Sequence, residues 1–218
     1  MATLVGSHGS EAAVPAPSDV HHPEAALAAA MGDPAPLGLA CFGITTLCLS
    51  VINAGWLTAV ATPMVLALAL PVGGGAQILA GMWAYRRGNT FVATTFSAYG
   101  AFWISFFLLL QYFVPAIATT KGAPADAVTG ALGLYLFAWG IFTAYMLVAA
   151  FAVARAVAVV FALLTATFLV LAVGFWAGNS STLHVLGGYL GILTGLGALY
   201  LSFADVTKAT FKRDVVPT

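Results

Sequence analysis

Six apolar stretches, each long enough to cross a bilayer, constrain this chain more than any other feature. They run from about Leu37 to Leu57, Pro63 to Tyr85, Phe91 to Val114, Val128 to Val153, Ala156 to Trp176 and Leu183 to Phe203. A hydrocarbon core needs about 20 helical residues. In lipid the backbone must satisfy its own hydrogen bonds, which a helix does. The stretches contain no Lys, Arg or Glu, and Asp205 sits at the edge of the last. Only 6% of the chain is charged, whereas soluble domains carry roughly 25%. A soluble fold could not cover its surface with so few charges. The fold class is therefore an all-α membrane protein, a bundle of six transmembrane helices.

The basic residues orient that bundle. With the N-terminus in the cytoplasm, Arg86, Arg87, Arg155, Lys208, Lys212 and Arg213 fall on the cytoplasmic side and Lys121 alone falls outside. Basic loops stay inside, and an even number of spans returns the C-terminus to the same side. Residues 1–32 are rich in Ala, Pro, His and Ser and contain no Lys or Arg. They lack the positive region of a signal peptide and read as a flexible cytoplasmic tail, with a short helix at Pro23–Met31. Residues 33–206 form the six-span domain, and 207–218 a short cytoplasmic tail.

Several constellations stand out within the spans. Phe42, Thr45, Thr46, Leu49 and Asn53 share one face of the first, either a half-polar channel face or hydroxyls bonded to their own helix. Pro71 and Gly73–Gly75 interrupt the second span. The interruption is either a kink packed on a neighbour or a break lining a path. Gln77 follows it, with an amide that needs partners in lipid. Thr95, Tyr99, Phe102 and Phe106 align on the third span, and Phe161, Leu164 or Thr165, and Phe168 on the fifth. Gly187, Gly191 and Gly195 form a small-residue stripe for helix packing within or between subunits, and His184 extends it. Cys41 and Cys48 are seven residues apart on one helix and too distant to pair there.

The missing groups narrow the function. A retinal protein needs an intramembrane Lys, and a voltage sensor needs an Arg-rich helix. No HExxH, GxSxG, P-loop or paired carboxylates appear, so hydrolysis and ATP coupling lack their groups. No enzyme activity, cofactor or metal is expected. Hydroxyls, amides and aromatic rings suit a pore for small neutral or singly charged solutes.

Asp33-Pro34-Ala35-Pro36-Leu37-Gly38-Leu39 opens the first span. It resembles the Asn-Pro-Ala-Pro-Leu-Gly-Leu signature of the acetate uptake transporter family, which includes the bacterial succinate–acetate permeases. Gly74-Gly75-Ala76-Gln77, Ala80-Gly81, Arg86-Arg87-Gly88-Asn89-Thr90-Phe91, Ser97-Ala98-Tyr99-Gly100-Ala101-Phe102-Trp103, Gly178-Asn179 and His184 continue the match in order. The resemblance implies transport of acetate, and in some members succinate, across the cytoplasmic membrane, through a path in each protomer of a hexamer. It places a constriction at Phe42, Tyr99 and Leu164, with Leu163 as the alternative one residue away. Tyr99 is also expected to offer its hydroxyl to the solute. Thr45, Thr46, Asn53 and Gln77 would be the substrate-binding polar residues, and His184 and Asp205 the candidate proton-linked groups. Asp33 departs from the family's Asn but can still cap the first helix. Ala84 stands where a Glu is frequent.

Overall fold

The computed structural model describes residues 31–217, so nearly all of the expected N-terminal tail lies outside the described residues. Among the described residues, six helices are long and apolar enough to span a membrane: α1 (Ala35–Asn53), α2 (Ala59–Arg86), α3 (Thr90–Thr119), α4 (Ala127–Ala150), α5 (Arg155–Trp176) and α6 (Ser181–Phe211). The last continues past the expected end of its span.

Local chemistry fixes where these helices begin. Asp33 Oδ1 accepts from the Ala35 N–H at 3.0 Å, and Pro at the start of α1 leaves no orphan donor there. Asn89 Oδ1 accepts from the Val92 N–H at 3.1 Å and starts α3. Between α5 and α6 the chain turns through Gly178 (φ 73°) and Asn179 (φ 60°). Gly and Asn are the residues that enter this left-handed region most readily.

The expected interruption of the second span is not a break. α2 runs continuously, with a π-helical segment over Ala69–Ala76. α3 likewise passes Pro115, where the third span was expected to end, by way of a π-helical turn at Leu109–Phe113. A proline ring clashes with the carbonyl one turn back and removes a donor. Widening the helix locally makes room for the proline ring and lets the helix run on.

The helices form a closed ring in sequence order. Each packs on the next, and α1 closes the ring against α6. Glycines bring backbones together at two of these seams. On α6, a Cβ at Gly188 would lie 2.2 Å from the Ala54 nitrogen, and one at Gly195 would lie 3.0 Å from the Leu47 nitrogen. Between α2 and α3, Gly100 meets Ile78 and Gly81 meets Ser97. The expected glycine stripe thus packs within the chain: Gly191 and Gly195 face α1, and Gly187 faces Leu171 on α5. The α3–α4 seam is different. Large side chains bridge it: Phe102 stacks on Tyr135 with centroids 5.7 Å apart, and Tyr135 Oη donates to the Phe102 carbonyl. Small residues on one side of the ring and aromatic ones on the other leave the space along the axis to side chains.

Candidate functional site: a constricted path along the axis

Three cavities follow one another down the ring. A cavity of about 270 Å³ lies at the end where α1 begins, lined by Asp33, Asn89, Thr95, Phe161 and Asp205 among others. A second, of about 20 Å³, lies between Leu39, Phe42, Thr95, Phe96, Tyr99, Val160, Phe161 and Leu164. A third, of about 40 Å³, is lined by Phe42, Thr46, Leu49, Ser50, Asn53 and Leu164, with Phe102, Leu136, Thr167 and Phe168 opposite. Thr95 and Phe161 belong to the first two cavities, and Phe42 and Leu164 to the last two.

Phe42, Tyr99 and Leu164 are therefore brought together, at 6%, 2% and 4% exposure. The rings of Phe42 and Tyr99 are 5.6 Å apart. The register on α5 is that of Leu164: Leu163 lines neither inner cavity, and its carbonyl accepts from the Thr167 hydroxyl. A water needs at least about 10–15 Å³ of such space. The inner cavities hold roughly one to a few waters, so any larger solute must move side chains. The path is closed in this conformation.

The polar residues divide. Thr46 and Asn53 line the cavity beyond the constriction, and the Thr46 hydroxyl is buried with no partner among the described residues. Thr45 turns sideways, donating to the Cys41 carbonyl at 2.9 Å and facing Gly73. Gln77 is fully buried and lines neither inner cavity. Neither its Nε2 nor its Oε1 has a partner among the described residues, and the same holds for Trp103 Nε1. An unpaired buried amide costs about 1–3 kcal/mol for each missing bond, so water or a solute is the natural partner.

The Tyr99 hydroxyl, expected to be offered to the solute, is engaged within the protein in this conformation. That hydroxyl donates to Thr143 Oγ1 on α4 at 2.9 Å, and Thr143 donates in turn to the Trp139 carbonyl at 2.7 Å. Sequence reading passed over Thr143. Its signal was a threonine in the middle of an otherwise apolar span.

His184 and Asp205 do not meet. They lie on the same helix about 30 Å apart at 1.5 Å per residue. Asp205 lines the outermost cavity with Asp33. His184 bonds the Ser180 carbonyl through Nδ1 at 2.7 Å and lies edge-on to Phe175. Its Nε2 is buried without a partner among the described residues.

A six-helix ring around a closed, nearly charge-free axial path defines an integral membrane protein of the transporter or channel type. Residues 19–216 match the GPR1/FUN34/yaaH family, and the chain belongs to that family. It is similar to the succinate-acetate/proton symporter SatP of Escherichia coli K12, with 38% identity over 187 residues, covering 86% of this chain and 95% of that protein. An uncharacterized protein of Methanothermobacter thermautotrophicus is 42% identical over 187 residues, covering 85% of this chain and 90% of its own length. Among solved structures, that of the bacterial acetate channel SatP superposes with a TM-score of 0.76 at 37% identity, covering 86% of this chain and 98% of that one.

Proposed function

We propose that this chain carries acetate, and other small carboxylates including succinate, across the cytoplasmic membrane through the axial path of each protomer, with six protomers in the assembly. The observation that carries this reading is the line of cavities pinched at Phe42, Tyr99 and Leu164. The names of the relatives supply the substrate class. Desolvating a carboxylate costs several kcal/mol or more. None of the residues lining the three cavities is a cation. The path compensates an entering solute with neutral donors, namely Thr46 and Asn53, while the apolar rings contact its methyl group.

Two carboxylates, Asp33 and Asp205, face the outermost cavity. They disfavour an approaching anion and favour its neutral acid. Of the two candidate proton-linked groups, only Asp205 lines one of the three cavities, which supports it as the group that exchanges a proton with the solute.

The test is flux into liposomes holding the purified protein, with acetate, formate, propionate, lactate, succinate and ammonium compared. Acetate uptake that succinate and short monocarboxylates inhibit is the expected result. Movement of ammonium alone would make the chain a channel for another solute. No movement of any solute would point to a sensor. Asp205→Asn should flatten the pH dependence of acetate uptake, and an unchanged pH profile would remove Asp205 from the mechanism.

A further inference from the structure

The Tyr99 ring stands in the narrowest part of the path, and the group that holds its tip belongs to another helix. We propose that Thr143 is a positioning residue for the constriction: it fixes the Tyr99 ring beside Phe42 and thereby sets which solutes pass. The inference rests on the carboxylate-path reading above.

Thr143 is fully buried, at 0% exposure. Its single hydroxyl proton goes to the Trp139 carbonyl of its own helix, at 2.7 Å. Toward Tyr99 it can therefore act only as an acceptor, and the tyrosine hydroxyl, 2.9 Å away, only as the donor. The direction of both bonds is fixed by this proton count.

The rest of the ring's surroundings is aromatic. Phe142 meets it edge-on at 5.4 Å, with Phe42 at 5.6 Å and Trp139 and Phe161 at 6.2 Å. Contacts of this kind hold over a range of offsets and tilts, so they seat a ring without fixing its tip. A hydrogen bond is directional. The bond to Thr143 also spans the α3–α4 seam, the side of the ring bridged by large side chains rather than by close backbones. Swinging Tyr99 aside to admit a solute breaks this bond, which makes the bond part of the barrier to passage.

Removing the acceptor and removing the donor have different consequences. Thr143→Val keeps the shape and strands the tyrosine hydroxyl among apolar groups, so the ring must leave its seat to find a partner. Tyr99→Phe removes the donor and leaves Thr143 satisfied by Trp139. Thr143→Ser retains the hydroxyl.

The experiment compares liposome flux of propionate and lactate with that of acetate in each variant. Thr143→Val should raise the ratio by about two- to tenfold, the factor to which one hydrogen bond's net contribution corresponds. Tyr99→Phe should raise it less, and Thr143→Ser should leave it at the wild-type value. Adding Tyr99→Phe to Thr143→Val should bring the ratio back to that of Tyr99→Phe alone, because no hydroxyl remains to be stranded. A residue that merely supports packing would lower flux or yield without this pattern of ratios and rescue.

Unchanged ratios in both Thr143→Val and Tyr99→Phe would overturn the inference, as would a Thr143→Ser protein as permissive as Thr143→Val. If Thr143→Val fails to fold, an unchanged ratio in Tyr99→Phe or a ratio above wild type in Thr143→Ser overturns the inference. Thermal unfolding of the four chains in the cycle reads the bond without flux, and additive melting shifts would also overturn it. Absence of carboxylate flux in the wild-type protein, with non-additive melting shifts, would instead sink the path reading while leaving the bond in place.

Discussion

At the scale of single residues, the members of the proposed constriction announce themselves in their own helices. Phe42 lies on a half-polar stripe, and Tyr99 on an aromatic one. Leu164 was separable from Leu163 only once α5 had neighbours. Side-chain direction follows the helix, and one residue is a rotation of about 100°. Truncating Leu164 removes atoms from the proposed gate as well as from the core. Leu164→Ala is expected to lose about 2–5 kcal/mol of stability, as buried Leu→Ala changes do. It should also admit propionate and lactate at a higher rate relative to acetate. Uptake ratios in liposomes check this, and a Leu164→Ala protein with wild-type selectivity would count against a gate at this position. Residues whose partners lie on other helices were not legible in the same way. Nothing in the sequence of α4 says that Thr143 faces Tyr99. Nothing in α1 says that Thr45 turns to Gly73 while Thr46, one residue on, faces the cavity.

At the scale of elements, all six helices were legible from apolar length alone, and of the two readings of the second span's interruption the kink packed on a neighbour is the one that fits, with Gly73 against Trp103 and Gly74 against Ile104. Prolines and glycines signalled interruption in α2 and an end in α3. Both helices continue, because π-helical segments accommodate the prolines at Pro71 and Pro115. The glycine stripe on α6 was visible as a four-residue period. Its tightest member, Gly188, lies just off that period and was missed. The reason is geometric: the distance to the neighbouring backbone, not the period, decides which glycine is indispensable. A methyl group at Gly188 would meet the Ala54 nitrogen at 2.2 Å, and neither helix backbone can yield easily. Gly188→Ala is therefore expected to destabilise by about 3 kcal/mol, the upper end for overpacking. At Gly130, within α4, a Cβ meets nothing within 4 Å. There Gly→Ala should stabilise by roughly 0.5–1 kcal/mol through helix propensity. Melting of the detergent-solubilised protein measures both. If the two substitutions shift it alike, close backbone approach does not hold the α1–α6 seam.

At the scale of the whole molecule, the two ends of the ring differ. The end where α1 begins carries the 270 Å³ cavity and the chain segments bearing Arg86, Arg87, Arg155, Lys208, Lys212 and Arg213. The other end carries Lys121. Asp33, Asp205 and Asp214 share the basic end, with Asp214 paired to Lys208 at 2.8 Å. These acids do not cancel the bias, because acidic residues contribute little to membrane orientation. The basic end should therefore face the cytoplasm, with both termini inside. The closed path then rests with its wider cavity open to the inside and its constriction between that cavity and the exterior. Labelling with a membrane-impermeant maleimide in intact cells tests this, using Lys121→Cys and Arg155→Cys, both at exposed positions. The parent chain gives the background, since Cys41 is buried and Cys48 half-buried within α1. Lys121→Cys should react in intact cells, and Arg155→Cys only after permeabilisation. The opposite pattern would invert the molecule. Asp33 and Asp205 would then guard the external mouth, where they would screen anions before uptake rather than meet the solute on its way into the cell.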